Sequence, residues 1–191
     1  MGTQASSASA LAGEGRWPDP ELPGLGPAVL PRWILVWFAV SVPLILWDVS
    51  FVLFRPGWFL WAPYDKYVTV DLSYGDPGNG FVRAQAIMSL LEIAVVLVAL
   101  WWRRHPLGVL LVFGVSLLTA AKTMLILLIE VVTGGAHVGH NPAADLVLLY
   151  LVPNGVWIVV PLLVAKSAGR TLLSACHRAP SSAPRGRASS S

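Results

Sequence analysis

The sequence predicts an all-α fold: a polytopic membrane protein built as a four-transmembrane-helix bundle with an internal cavity. Three observations predict it. Four apolar runs, residues 33–54, 84–102, 106–132 and 143–165, are each long enough to cross a hydrocarbon core, which takes a helix of about 20 residues. Charged residues make up only 12% of the 191, about half the share in a soluble domain. Each run also carries side chains that hydrocarbon rejects: Asp48 in the first, Gln85 and Glu92 in the second, Lys122 and Glu130 in the third, Asn154 in the fourth. A charge near the centre of a span costs about 2.5–3.5 kcal/mol on insertion scales, so such side chains face a partner or a cavity.

The first run opens with Trp33 and Trp37, expected interfacial anchors, and contains Pro43 five residues before Asp48. A proline there frees a backbone carbonyl and can kink the helix. Residues 55–80 are not a span. Trp58, Trp61, Tyr64, Tyr67 and Tyr74 mix with Asp65, Lys66, Asp71 and Asp76, which suits a short amphipathic piece lying at the headgroup level and capping the cavity. Asp76-Pro77-Gly78-Asn79-Gly80 reads as a turn.

In the second run Gln85 and Glu92 are two helical turns apart and share a face, with Met88 and Ser89 between them. The third run starts after Arg103-Arg104-His105, with Pro106 in the first helical position that proline favours. Lys122, Ile126 and Glu130 recur at spacings of four along one stripe. In the fourth run Asn154, Trp157 and Pro161 fall on one face.

The organisation is a helical domain over 33–166 between two tails, 1–32 and 167–191. The first tail is rich in Ala, Gly, Ser and Pro, with acids at Glu14, Asp19 and Glu21, and lacks the basic-then-apolar order of a cleavable signal. The first span is therefore expected to act as an uncleaved anchor. The second tail sets Arg170, Arg178, Arg185 and Arg187 among Ser, Ala and Pro, a composition expected to be disordered. Arg16, Arg32, Arg103, Arg104, Lys166 and the tail arginines fall on one side of the membrane, against Arg55, Lys66 and Arg83 on the other. The positive-inside rule then places both termini in the cytosol. The net charge of +3 thus reads as topology, and a nucleic-acid partner is not expected. Cys176 is the sole cysteine, so neither an intrachain disulfide nor a cysteine metal cluster can form. No internal repeat is visible and no ring of like charges marks a pore, which counts against a transporter or channel. No small-xxx-small pair marks a dimer seam, and a homodimer stays open.

Asp48 is the leading candidate for chemistry. A carboxyl in an apolar bundle can donate a proton to an alkene or, ionised, hold a ligand amine; the alternative is a bond to a neighbouring helix. Glu92 would serve as the matching base, or else pair with Lys122 and neutralise it. Trp157 can set a π-face against a cation, worth about 0.5–2 kcal/mol. Asn154 can fix a ligand hydroxyl or bond across helices. Gln85, Lys122 and Glu130 complete the expected ligand-binding set. His137 and His140 are three apart without an evident third ligand, so neither a metal nor a cofactor is expected.

Several of these pieces together carry a family resemblance. His105-Pro106-Leu107 opens the third run, Leu128-Ile129-Glu130 closes it, and Gly139-His140-Asn141-Pro142 follows. Then comes Pro153-Asn154-Gly155-Val156-Trp157-Ile158-Val159-Val160-Pro161, with Trp47-Asp48 and Asp71-Leu72-Ser73-Tyr74 upstream. This order resembles the emopamil-binding protein family and its EXPERA domain, over roughly residues 33–166. The Asn-x-x-Trp-x-x-x-Pro stretch is its most specific part.

The resemblance implies an endoplasmic-reticulum bundle whose cavity opens sideways to lipid and takes a sterol-like molecule or a cationic amphiphile. It implies either a sterol double-bond isomerase or a non-catalytic binder of the sigma-2 receptor type. In the isomerase a carboxyl protonates a ring double bond, and a base then removes a proton from the neighbouring carbon. Asp48, Glu130, Asn154 and Trp157 match the family's acids and its Asn–Trp pair. Leu44 stands where the isomerase has a histidine, and Gln85 or Ala86 where it has an early glutamate, with Glu92 further along.

Overall fold

A computed structural model describes residues 28–55 and 59–177. Four helices have the length and apolarity of membrane spans: α1 (Arg32–Phe54), α4 (Gly80–Trp101), α5 (Pro106–Val132) and α6 (Ala143–His177). Between α1 and α4 lie a 3₁₀ turn (Phe59–Trp61) and two short helices, α2 (Ala62–Val70) and α3 (Leu72–Gly75). The all-α four-helix membrane fold is therefore the fold of this chain. Large apolar side chains such as Val36, Leu91, Leu128 and Val159 point outward, as a lipid-facing surface requires.

The helix ends follow from local chemistry. Asn79 caps α4 by accepting from the Phe81 and Val82 N–H groups, and His105 caps α5 by accepting from Leu107 N–H, with Pro106 next. Asp71 caps α3 by accepting from the Ser73 and Tyr74 N–H groups. The third span ends at Thr133, where Gly134 and Gly135 take positive φ (68° and 77°), a conformation glycine alone adopts without strain. In α6, Pro153 has no N–H for the carbonyl four residues earlier, and the helix widens into one π turn over Leu146–Leu151.

The spans pack in chain order, α1 on α4, α4 on α5, and α5 most extensively on α6. Their common core lies toward one end, where Ile34, Phe38, Val96, Ala99, Val109, Val112, Val164 and Ala168 meet. There the turn from α4 to α5 is so tight that a Cβ on Gly108 would lie 2.1 Å from the Trp102 carbonyl oxygen. The approach to α1 joins this end, with Leu30 N–H donating to the Arg103 carbonyl.

Two boundaries differ from expectation. Residues 167–177, read as tail, continue α6, because Ala168 and Ala175 recur on the face of Val164 and are wholly buried. Ala28 and Leu30, also read as tail, are buried in the same core. The rest of the two expected tails, 1–27 and 178–191, lies outside the described residues.

At the other end, residues 59–75 fold over the bundle as a cap. Trp47 Nε1 donates to the Leu60 carbonyl (3.0 Å) and Trp61 Nε1 to Ser50 Oγ (3.0 Å), which fastens the cap to α1. The loop between α5 and α6, together with the first turn of α6, fastens it from the far side. Asn141 Nδ2 donates to the Val70 carbonyl (2.7 Å), Leu72 N–H donates to the His137 carbonyl (3.2 Å), and Lys66 pairs with Asp145 (2.8 Å).

A capped chamber between the spans

Beneath the cap the spans part around a cavity of about 510 Å³. That size falls within the roughly 300–1,000 Å³ of small-molecule sites. Helical spacing explains which side chains reach it. Leu44 and Asp48 are one turn apart on α1, while Gln85, Ser89 and Glu92 occupy one face of α4. Thr119, Lys122, Thr123 and Ile126 come from α5, and Asn154 and Trp157 from α6. Tyr64, Tyr67 and Tyr74 close it from the cap.

Asp48 sits near the cap, about 9 Å of helix rise from the end of α1. Tyr64 Oη donates to its Oδ1 at 2.7 Å, and Tyr74 Oη lies 3.2 Å from Oδ2. Among the described residues Asp48 has hydrogen bonds but no ion pair. The tyrosines are held in place in turn. Tyr64 stacks on Phe51 (centroids 4.0 Å apart), Tyr67 meets Tyr74 edge-on, and the Arg55 guanidinium donates to the Tyr74 carbonyl. Burial, with the Asp48 charge second, pushes the Tyr64 and Tyr74 hydroxyls well above the usual tyrosine range; burial and Asp71 do the same for Tyr67. All three hydroxyls therefore remain neutral and able to donate.

Deeper in the bilayer, Glu92 and Lys122 form an ion pair of 2.9 Å, with Glu92 4% and Lys122 14% exposed. Thr119 Oγ1 donates to the other Glu92 oxygen (2.9 Å), and the ammonium also donates to Ser89 Oγ (2.7 Å). Ser89 Oγ in turn donates to the Gln85 carbonyl (3.0 Å). Glu92 Oε1 faces the ammonium as an ion pair without an aligned hydrogen bond, and Thr119 Oγ1 has its one proton to share between Glu92 Oε2 and the Val115 carbonyl, both at 2.9 Å. Breaking such a pair strands a charge and costs about 3–5 kcal/mol.

On α6, Asn154 is buried, donates to the Tyr150 carbonyl of its own helix (2.8 Å), and reaches the Tyr67 hydroxyl. Trp157 meets Trp37 of α1 edge-to-face at 5.4 Å, bridging the first and last spans.

Of the residues singled out from sequence, Asp48, Gln85, Glu92, Lys122, Asn154 and Trp157 line this one chamber. Glu130 does not. It sits two turns beyond Lys122 at the end of α5, where Oε1 lies 2.7 Å from His137 Nδ1 and Oε2 accepts His137 N–H. The stripe begins in the cavity with Lys122 and Ile126, but the helix carries Glu130 out of the cavity to the last loop. His137 and His140 do not converge, since His140 Nε2 contacts the Thr69 carbonyl instead. Sequence reasoning missed the tyrosines as cavity walls. Their mixture with charges signalled an interfacial segment, and only the Tyr64–Tyr67 spacing of three hinted at a shared face.

The chain matches no protein-family model, no curated protein and no solved structure.

Proposed function

We propose that this chain is an emopamil-binding-protein-like (EXPERA) membrane protein. It takes a sterol or related polycyclic lipid into the chamber and shifts a ring double bond, a reaction of the cholestenol delta-isomerase type. The observation that carries this reading is Asp48, an acid with no ion-pair partner among the described residues, in a capped cavity of ligand size that the Trp157 indole also lines. Protonated, Asp48 delivers its proton to one carbon of the double bond, and a cation forms on the other. Trp157 supports that cation through its π-face. A proton then leaves the neighbouring carbon for Glu92, and both groups return to their starting states by proton exchange. No electrons are gained or lost. Gln85 and Asn154 orient the ligand, and Lys122 holds Glu92 in place. In this reading the protein resides in the endoplasmic reticulum with both termini in the cytosol and the cap on the lumenal side, and the surrounding lipid supplies the ligand.

A second reading, a non-catalytic binder of sterols or cationic amphiphiles, is favoured by one feature. The expected base is already occupied by Lys122 and Thr119, and Leu44 offers no second proton carrier. There Asp48 acts as counter-ion to a ligand amine.

Complementation of cells lacking sterol isomerase separates the two. Rescue by the wild type, lost in Asp48→Asn at equal expression, supports the enzyme. Absence of rescue by a well-expressed, correctly located protein rejects it. Saturable binding of a cationic amphiphile, abolished in Asp48→Asn without product formation, would then select the binder.

A further inference from the structure

We propose that Lys122 is the specificity-determining residue of the chamber: a built-in counter-ion that cancels Glu92 and leaves a single negative charge, Asp48, for the ligand to answer. The inference rests on the reading of this cavity as a ligand site and adds the charge that the ligand must carry.

The wall holds two carboxylates, Asp48 and Glu92, and two ammonium groups, Lys66 and Lys122. Lys66 is at the rim, largely exposed, and is spent on Asp145 (2.8 Å). Lys122 is spent on Glu92 (2.9 Å) and fixed by Ser89 (2.7 Å). Thr119 completes the pair from the Glu92 side. Asp48 is left with two neutral hydroxyl partners, Tyr64 and Tyr74. With Asp48 ionised, as it is opposite a ligand amine or once its proton has passed to a double bond, the balance of the chamber is one negative charge. A ligand bearing one positive charge, permanent or transient, neutralises it. A dication is left with an uncompensated charge in a low-dielectric space, and an anion is repelled by Asp48. Without Lys122 the same walls would present two negative charges.

The test uses the full chain in phospholipid nanodiscs and three probes on one sterol ring system: an uncharged alcohol, a monoamine and a diamine. Wild type binds the monoamine most tightly. Glu92→Gln brings the balance to zero and weakens monoamine binding by about tenfold or more, as an added unit charge acting through an effective dielectric near 20 requires. Lys122→Met takes the balance to two negative charges and moves the preference to the diamine by a similar factor. The double variant Glu92→Gln/Lys122→Met removes the pair as a unit and returns the wild-type order. It also keeps the inference testable where a single substitution prevents folding. A double variant that prefers the diamine or the alcohol overturns the inference, and so do single variants that bind all three probes as the wild type does. Failure of the underlying reading is distinguishable. In that case wild type does not prefer either amine over the alcohol, or Asp48→Asn leaves monoamine binding unchanged.

Discussion

Asn141→Ala should loosen the cap that closes the chamber, and the geometry sets the size of the effect. The Asn141 amide nitrogen donates to two carbonyls, Val70 O and Val138 O, both at 2.7 Å. The two losses are unequal. Val138 O also accepts the Asn141 backbone N–H (3.2 Å), so alanine leaves it a partner. Val70 is wholly buried and its carbonyl ends α2, where a helix has no partner of its own to offer. Stranding one buried carbonyl costs about 1–3 kcal/mol. For a chain of this size that corresponds to a fall in Tm of roughly 2–12 °C. Thermal unfolding in detergent, followed by circular dichroism or intrinsic tryptophan fluorescence, measures it. Amide exchange should rise across residues 62–75 while the common core of the four spans stays protected. An unchanged Tm with unchanged exchange in the cap would show that Asn141 does not hold the cap, and that the α5–α6 loop only rests against it.

Two further perturbations test other joints. Gly108→Ala places a methyl 2.1 Å from the Trp102 carbonyl oxygen and 2.9 Å from that of Ala99, both backbone atoms, so the variant should fail to accumulate in the membrane while Gly114→Ala, in open space, accumulates normally. Burial, helped by the Glu130 charge, raises the Asp71 carboxyl above its ordinary range, although its Ser73 and Tyr74 partners pull it back. The folded state then holds that proton more tightly than the unfolded chain does. The associated stability is fully present below the unfolded value of 3.8 and is lost as pH rises through the folded value. Asp71→Asn keeps an equally good cap for α3 and should flatten that slope, read as Tm against pH from 3.5 to 7. A slope identical to wild type would remove Asp71 from the account.

The chamber shows where sequence reasoning reaches and where it stops. The spans and the polar faces of the second and fourth runs were legible, because hydrocarbon penalises every unpaired charge and helical periodicity then dictates direction. Asp48, Gln85, Glu92, Lys122, Asn154 and Trp157 converge for that reason. Glu130 obeyed the same periodicity and still left the cavity, because periodicity gives an azimuth and not a depth. Lys122 and Glu92 could each have had another partner. Their distance depends on the rotation of α5 against α4, which packing sets. The continuation of α6 to His177 escaped notice because Ala168 and Ala175 stand among Ser167, Arg170, Thr171 and Ser174, and only packing shows that they share the buried face of Val164.

The sequence by itself determined four bilayer-spanning helices, an interfacial segment after the first, and the placing of charge where lipid would not tolerate it, since these follow from transfer free energies that act residue by residue. Tertiary structure alone decided that Tyr64 and Tyr74 of the capping segment bond to Asp48, that Lys122 is consumed by Glu92, and that Glu130 serves a loop. Those outcomes depend on which surfaces meet, and short-range packing and hydrogen-bond geometry between distant segments choose among arrangements that the linear pattern leaves equal.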